Sequence, residues 1–207
     1  MLAQLSTPLL LNFTYAFNGS RLTPAHEPAI RASGVRFVKL LSDLETLLAT
    51  DTAFMLGPWL ASARKLGGVA SDCVADNVAV AGGISSCADF MEWNAKAQLT
   101  TWYPVLGSAE APRVQQGGRD HDYARKHWSG LLGDVHIPRA RLYQAQALRD
   151  AAAGLAFNIT AALASYAQQS YVWQTEFGNK YPTEPVGDAV QVSRAVREKY
   201  AQYFSSC

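Results

Sequence analysis

Much that would announce a function is missing from these 207 residues. Cysteines are scarce: the three, at 73, 87 and 207, show none of the paired two-residue spacings that hold zinc or run dithiol redox chemistry, so no structural metal site is expected. Charge of one sign is missing too. Eighteen Lys and Arg nearly balance seventeen Asp and Glu, which leaves no field to gather nucleic acid or an anionic membrane. No apolar run approaches the roughly 20 residues that cross a bilayer. Met1 to Leu11 is apolar, but it has no basic start or small-residue cleavage site, and Pro8 interrupts it. It does not read as a signal peptide. No Gly-rich phosphate loop and no nucleophile signature occurs, and no cofactor is implied.

What is present is helical period. With 49% hydrophobic and 17% charged residues the chain is long enough for one sizeable core, and one domain over 1–207 is the reading. Phe37, Leu40, Leu41, Leu44, Leu47 and Leu48 recur at three and four, placing a helix at about Pro28–Ala49. Thr50 or Asp51 should cap a second helix, with Phe54, Trp59, Leu60 and Ala63 buried and Gly57-Pro58 kinking its first turns. Further helices are expected from Phe90 to about Pro104, and from Tyr123 through Trp128 and Leu131 to a stop at Gly133. The next should run from Pro138 to Gly154, another from Ile159 to Gly178, and the last from Asp188 to Tyr203. Leu2–Phe17 reads as the worn remnant of one more. Stretches 67–86 and 103–119, rich in Gly and small residues, read as loop insertions. The fold class is all-α, a bundle of six or seven mostly antiparallel helices with no significant sheet.

Chemistry is thinly signposted. The cluster Asp120, His121, Asp122, His127, Asp134 and His136 lacks the three- or four-residue spacing that would aim two histidines at one metal. Glycoside hydrolysis needs two carboxylates about 5 to 10 Å apart, and neither Glu92, Glu176 nor Glu184 has an evident companion. Three glycosylation sequons start at Asn12, Asn18 and Asn158, leaning toward a secretory route. Asn158 also stands where a helix N-cap belongs, and both readings stay open. Cys73 and Cys87 would bridge in an oxidising compartment and stay as two thiols otherwise. Arg139 and Arg141, beside Pro138, are expected to pair with carboxylates or carbonyls, because unpaired cations oppose the dipole of a helix start.

Three segments carry a resemblance: Glu92-Trp93-Asn94-Ala95-Lys96-Ala97-Gln98-Leu99-Thr100-Thr101-Trp102, then Asp122-Tyr123-Ala124-Arg125-Lys126, then Ile137-Pro138-Arg139-Ala140-Arg141-Leu142-Tyr143. In that order, and more weakly from about Ile30 to Phe204, the chain resembles the C-terminal helical domain of α-N-acetylglucosaminidases, glycoside hydrolase family 89. Those enzymes remove terminal α-linked N-acetylglucosamine from heparan-type chains. The resemblance implies lysosomal or secretory location. It also implies that the two catalytic glutamates belong to a barrel domain absent here, whose sugar pocket this domain closes on one side. No residue of this chain is then catalytic. Trp102 and Tyr123 match positions that line the pocket, where aromatic rings face a pyranose. The implied partners are that barrel and, through it, the glycan; a free-standing helical interaction module is the alternative. Lys96 departs from the family, which usually carries Arg there, and the insertion at 103–119 falls between the two aromatic positions.

Overall fold

The computed structural model describes residues 2–17, 21–69, 84–100 and 126–203. Among them are helices α1 (Leu2–Tyr15), α2 (Glu27–Leu48), α3 (Leu56–Gly67), α4 (Cys87–Thr100), α5 (Ile137–Ala153), α6 (Ile159–Gln174) and α7 (Ala189–Lys199), with short 3-10 turns and no strand. The class is all-α, as the periodicity demands. Trp102, Tyr123, Asn18 and Cys73 lie outside the described residues, as do positions 70–83 and 103–119.

Helix α1 is a full core element rather than a remnant. Leu5, Leu9, Phe13 and Phe17 recur every four residues and are all buried. Pro8 sits on the exposed side, away from the buried stripe. This stripe packs with Phe37, Leu40, Leu41 and Leu44 of α2, with Ala140 and Ala147 of α5, and with Val196 of α7. A second core joins Leu56 and Leu60 of α3, Ala95 and Leu99 of α4, and Tyr166 and Trp173 of α6. Tyr143 of α5 touches both, so α5 is the seam between two halves of one body.

Several boundaries depart from the sequence reading, each for a local reason. Asp51 caps only a 3-10 turn, Thr52–Phe54, accepting from the Ala53 N–H at 2.9 Å. Helix α3 begins afterwards at Leu56, so Pro58 falls in its first turn, where no amide donor is needed. Phe54 and Trp59 are then exposed at 47% and 40%, not buried. Gly133 ends nothing: a π turn, Leu132–His136, carries the chain directly into α5, absorbing the donor that Pro138 lacks. Helix α6 stops at Gln174, with Ile159 and Leu163 exposed. Tyr203, where the last helix was expected to end, lies beyond α7 and is 40% exposed. Arg141 is exposed with no ion pair among the described residues, and Arg139 stacks its guanidinium 4.6 Å from the centre of the Tyr166 ring. Arg141 is simply solvated.

Other signals behave as their chemistry requires. Gly154 closes α5 at φ +67, a left-handed cap that a Cβ would strain. Asn158 caps α6 through the Ala161 N–H, 3.0 Å, and Asp188 caps α7 through Gln191, 2.8 Å. The π turn is capped from another helix: Glu45 of α2 accepts the Gly130 N–H at 2.6 Å, the Gly133 N–H at 3.1 Å and the Ser129 hydroxyl at 3.0 Å. That one carboxylate ties the first core to the start of the α5 segment. Replacing it, Glu45→Ala, should lower unfolding free energy by about 1–2 kcal/mol in urea titration. Arg141→Ala should change it by less than about 0.5 kcal/mol.

Candidate functional site

The described polar chemistry concentrates along α4, the helix that leads to Trp102. Glu92 is completely buried and Lys96, one turn on, is 2% exposed. Their contact is an i,i+4 ion pair of 2.9 Å. The other Glu92 oxygen accepts from Arg64 of α3 at 2.6 Å and from the Gly178 N–H at 3.0 Å, and the Asn179 N–H reaches the first oxygen at 3.4 Å. Lys96 completes its donors on backbone carbonyls in the last turn of α6, Trp173 at 3.3 Å, and just past it, Glu176, and lies 5.2 Å from the Trp173 ring centre. Arg64 reaches Asp89 as well, 2.8 Å away. Asp89 in turn accepts from Ser85 and Ser86, while the Ser86 oxygen caps the Asp89 N–H at 3.1 Å.

The electrostatics follow from these contacts. Burial would raise Glu92, but the Lys96 ammonium and the Arg64 guanidinium outweigh it and hold the carboxyl below its ordinary value. Asp89 is opposed by burial in the same way and is also lowered, chiefly by Arg64. Burial draws Lys96 down despite Glu92. Arg64 is raised, first by its bond to Asp89. Every charge in the cluster therefore has an opposite partner among the described residues. The cluster is architecture, fixing α4 against α3 and the loop that follows α6.

That loop, residues 175–188, is held at many points. Asn179 adopts φ 39 and donates to the Gly57 carbonyl at 3.0 Å. A Cβ on Gly57 would stand 1.9 Å from the Pro182 carbonyl oxygen, so only glycine admits the loop there. Tyr181 accepts from the Trp173 indole and donates to Asp134, both at 2.7 Å. Burial and the Asp134 carboxylate push its phenol well above the usual tyrosine value. At the far end of α4, Thr100 is buried, donates to the Lys96 carbonyl at 2.9 Å and accepts from Gln174 at 2.6 Å. Nearby on α6 the buried Ser170 hydroxyl has no hydrogen-bond partner among the described residues.

Two of the three sequon asparagines can be placed. Asn12 and Asn158 are exposed, on α1 and at the start of α6. Cys87 is disulfide-bonded at the first position of α4, and the cysteine it was expected to join, Cys73, lies outside the described residues. Glu92 was weighed as a reacting acid; the structure makes it the buried anchor. Its spacing of four from Lys96 was the available signal, but nothing local reveals Arg64 or the loop amides, which come from 28 and 86 residues away. Among the described residues no three His, Cys, Asp or Glu side chains could hold one metal ion.

Removing the anchor should be costly, because Lys96 and Arg64 would remain with uncompensated charge. Glu92→Ala is expected to lose about 3–5 kcal/mol of stability in denaturant unfolding. The pH dependence has a fixed sign. Glu92 and Asp89 bind protons less readily folded than unfolded, so their contribution is whole above the ordinary 4.5 and 3.8 and is lost as pH falls through the lower folded values. The melting temperature should drop steeply below about pH 4, and Asp89→Asn should flatten that drop.

The family model described as the alpha-N-acetylglucosaminidase (NAGLU) C-terminal domain matches residues 1–199, so the likeness begins at α1 and not near Ile30. The human alpha-N-acetylglucosaminidase is 31% identical over 177 residues, 83% of this chain and 19% of that protein. A family 89 glycoside hydrolase from Clostridium perfringens in complex with PUGNAc superposes with a TM-score of 0.68 at 22% identity, over 96% of this chain and 20% of that one. A doubly substituted enzyme from the same organism, in complex with its substrate GlcNAc-alpha-1,4-galactose, gives 0.68 and 22% over 95% and 19%. At that identity these solved structures speak for the fold alone. The chain spans about a fifth of the length of these relatives. With a family model matched over nearly all its length, this chain belongs to the α-N-acetylglucosaminidase C-terminal domain family.

Proposed function

We propose that this domain completes the sugar pocket of an α-N-acetylglucosaminidase and supports the barrel that removes terminal α-linked N-acetylglucosamine from heparan-type glycans. The observation that carries the reading is the family match over residues 1–199, in a chain that spans a fifth of its relatives. The buried cluster supports it. Glu92, Lys96 and Arg64 hold the axis of α4, and the last described residue of that helix, Thr100, stands two positions before Trp102. A pocket wall has to be rigid to favour one sugar geometry over another. In this reading Trp102 and Tyr123 offer ring faces to the pyranose, and the glutamates that break the bond come from the barrel.

The same reading assigns the chain to the lysosome or the secretory route, with Asn12, Asn18 and Asn158 as glycan acceptors and a bridge from Cys87 to Cys73. Asn158 suits both of its roles, since its cap uses the side-chain oxygen and a glycan would use the nitrogen. The alternative, a free-standing helical interaction module, keeps the fold but needs no barrel.

One measurement tests the proposal and a second separates the readings. The 207-residue chain alone should not hydrolyse a chromogenic α-N-acetylglucosaminide, and turnover with a pH profile set by two carboxylates would overturn the proposal. Within an enzyme containing both domains, Trp102→Ala should lower kcat/KM by at least about tenfold. An unchanged kcat/KM there would favour the interaction module.

A further inference from the structure

Helix α3 carries apolar side chains on both of its faces. Leu56 and Leu60 pack inward with Ala95 and Leu99 of α4, and Gly67 lies too close to the Cys87 backbone to admit a Cβ. The two helices therefore run antiparallel, with the start of α3 beside the end of α4. That accounts for the inner face only. On the outer face Trp59, Leu66 and Val69 follow at spacings of seven and three, so they share one side of the helix and the turn that extends it. Leu66 is 64% exposed and Val69 83%, and the exposed Phe54 opens the row just before α3. A surface helix ordinarily turns charge to water on that side. Here the stretch 52–69 holds no Asp or Glu, its Arg64 is drawn inward to Asp89 and Glu92, and Lys65 is the charge left outside.

A second segment widens the row. The Ser129 N–H donates to the Phe54 carbonyl at 2.8 Å, and the Ser129 carbonyl accepts the Leu56 N–H at 3.0 Å. This sets Trp128 against Trp59, with ring centres 5.8 Å apart at 56°, and the Lys126 ammonium lies 5.9 Å from the Trp128 ring. Tryptophan at the surface is the residue type that anchors protein interfaces, and this pair is held in place by backbone bonds. Its location matters as well. The pair stands at the end of α3 and α4 where α4 reaches Thr100 and where the described chain resumes at Lys126.

We propose that the outer face of α3, joined to the Trp59–Trp128 pair, is the surface on which the barrel docks. The inference rests on the reading above, in which barrel and domain meet at Trp102 and Tyr123. Those positions lie two beyond Thr100 and three before Lys126, so the apolar row continues the proposed wall. The relatives carry about four fifths of their length outside this domain, which supplies a covering body of sufficient size. The matching patch on the barrel is apolar at its centre and acidic at its edge, where Lys65 and Lys126 meet it. A second exposed row, Ile159 and Leu163 of α6, starts beside the first core, where Phe157 packs on Phe17, and serves as the control.

The test compares hydroxyl-radical labelling of side chains in the 207-residue chain and in an enzyme containing both domains. Trp59, Trp128 and Leu66 should label at least about fivefold more slowly in the two-domain enzyme, while Ile159 and Leu163 keep their rates. L66D replaces a largely exposed side chain, so it should leave the melting temperature of the chain alone within a few degrees. In the two-domain enzyme it should return Trp59 and Trp128 to the labelling rate of the chain alone. W59D should do the same for Leu66, and if it fails to fold, L66D decides. Equal labelling in the two proteins, slowing on α6 instead, or protection that survives L66D overturns the proposal. Slow labelling already present in the chain alone also overturns it, because its own residues would then cover the face. The two readings fail separately. Protection of the α3 face with an unchanged kcat/KM in Trp102→Ala leaves the docking surface standing and removes the pocket wall; a Trp102 effect without protection does the reverse.

Discussion

One buried carboxylate organises half of this molecule. Glu92 gathers Arg64 from α3, Lys96 from its own helix and two backbone amides from the loop after α6. Stripping water from such a charge costs several kcal/mol, and the ion pairs and amide bonds must return that free energy together. The arrangement is therefore all or nothing: α3, α4 and the 175–188 loop hold their mutual positions because any displacement leaves a charge unanswered. An apolar core of similar volume would pack as tightly, yet it would tolerate sliding. Directional bonds to two amides and two cations do not.

The other half is organised by packing. The four-residue stripe of α1 lies on α2, and polar groups enter only at the edges: Asp43 of α2 accepts from Lys199 and Tyr200 of α7, and Glu45 caps the π turn. Burial and Asp43 push the Tyr200 phenol up, since ionising it would set two negative charges side by side. Asp150 accepts from Gln146 and from the Asn158 N–H, fixing the turn between α5 and α6. Through α5 the two halves meet, and Tyr143 belongs to both.

The helices were legible because their signals are local. Apolar spacing placed α2, Gly154 placed the end of α5, and Asn158 and Asp188 placed two starts within a residue. The misreadings share a cause, which is that distant groups decide them. Gly133 looked like a stop, but Glu45 supplies the missing cap from another helix, and the chain runs on through Pro138. Phe54 and Trp59 looked like core by period; the bridge from Met55 to Ser129 turns that segment so that Trp59 pairs with Trp128 at the surface. Family membership, which no spacing within the chain contains, came from motifs alone. It could not give the anchor, because Lys96 is read as a deviation until Glu92 is seen beside it.

That deviation has a physical sense. An arginine at position 96 would bring a planar fork and a longer reach. The site that Lys96 occupies is closed: it is 2% exposed, bounded by the Glu92 carboxylate, the Trp173 ring and the carbonyls of Trp173 and Glu176. A compact ammonium has three donors pointing in three directions, and these acceptors surround it. Arg64 bridges the two acids instead, touching Asp89 and Glu92 from the neighbouring helix with a single nitrogen, and is less buried. The lysine thus seals α4 onto α6 while the arginine seals it onto α3. Two cations divide the work around one acid, and α4 is held on both sides.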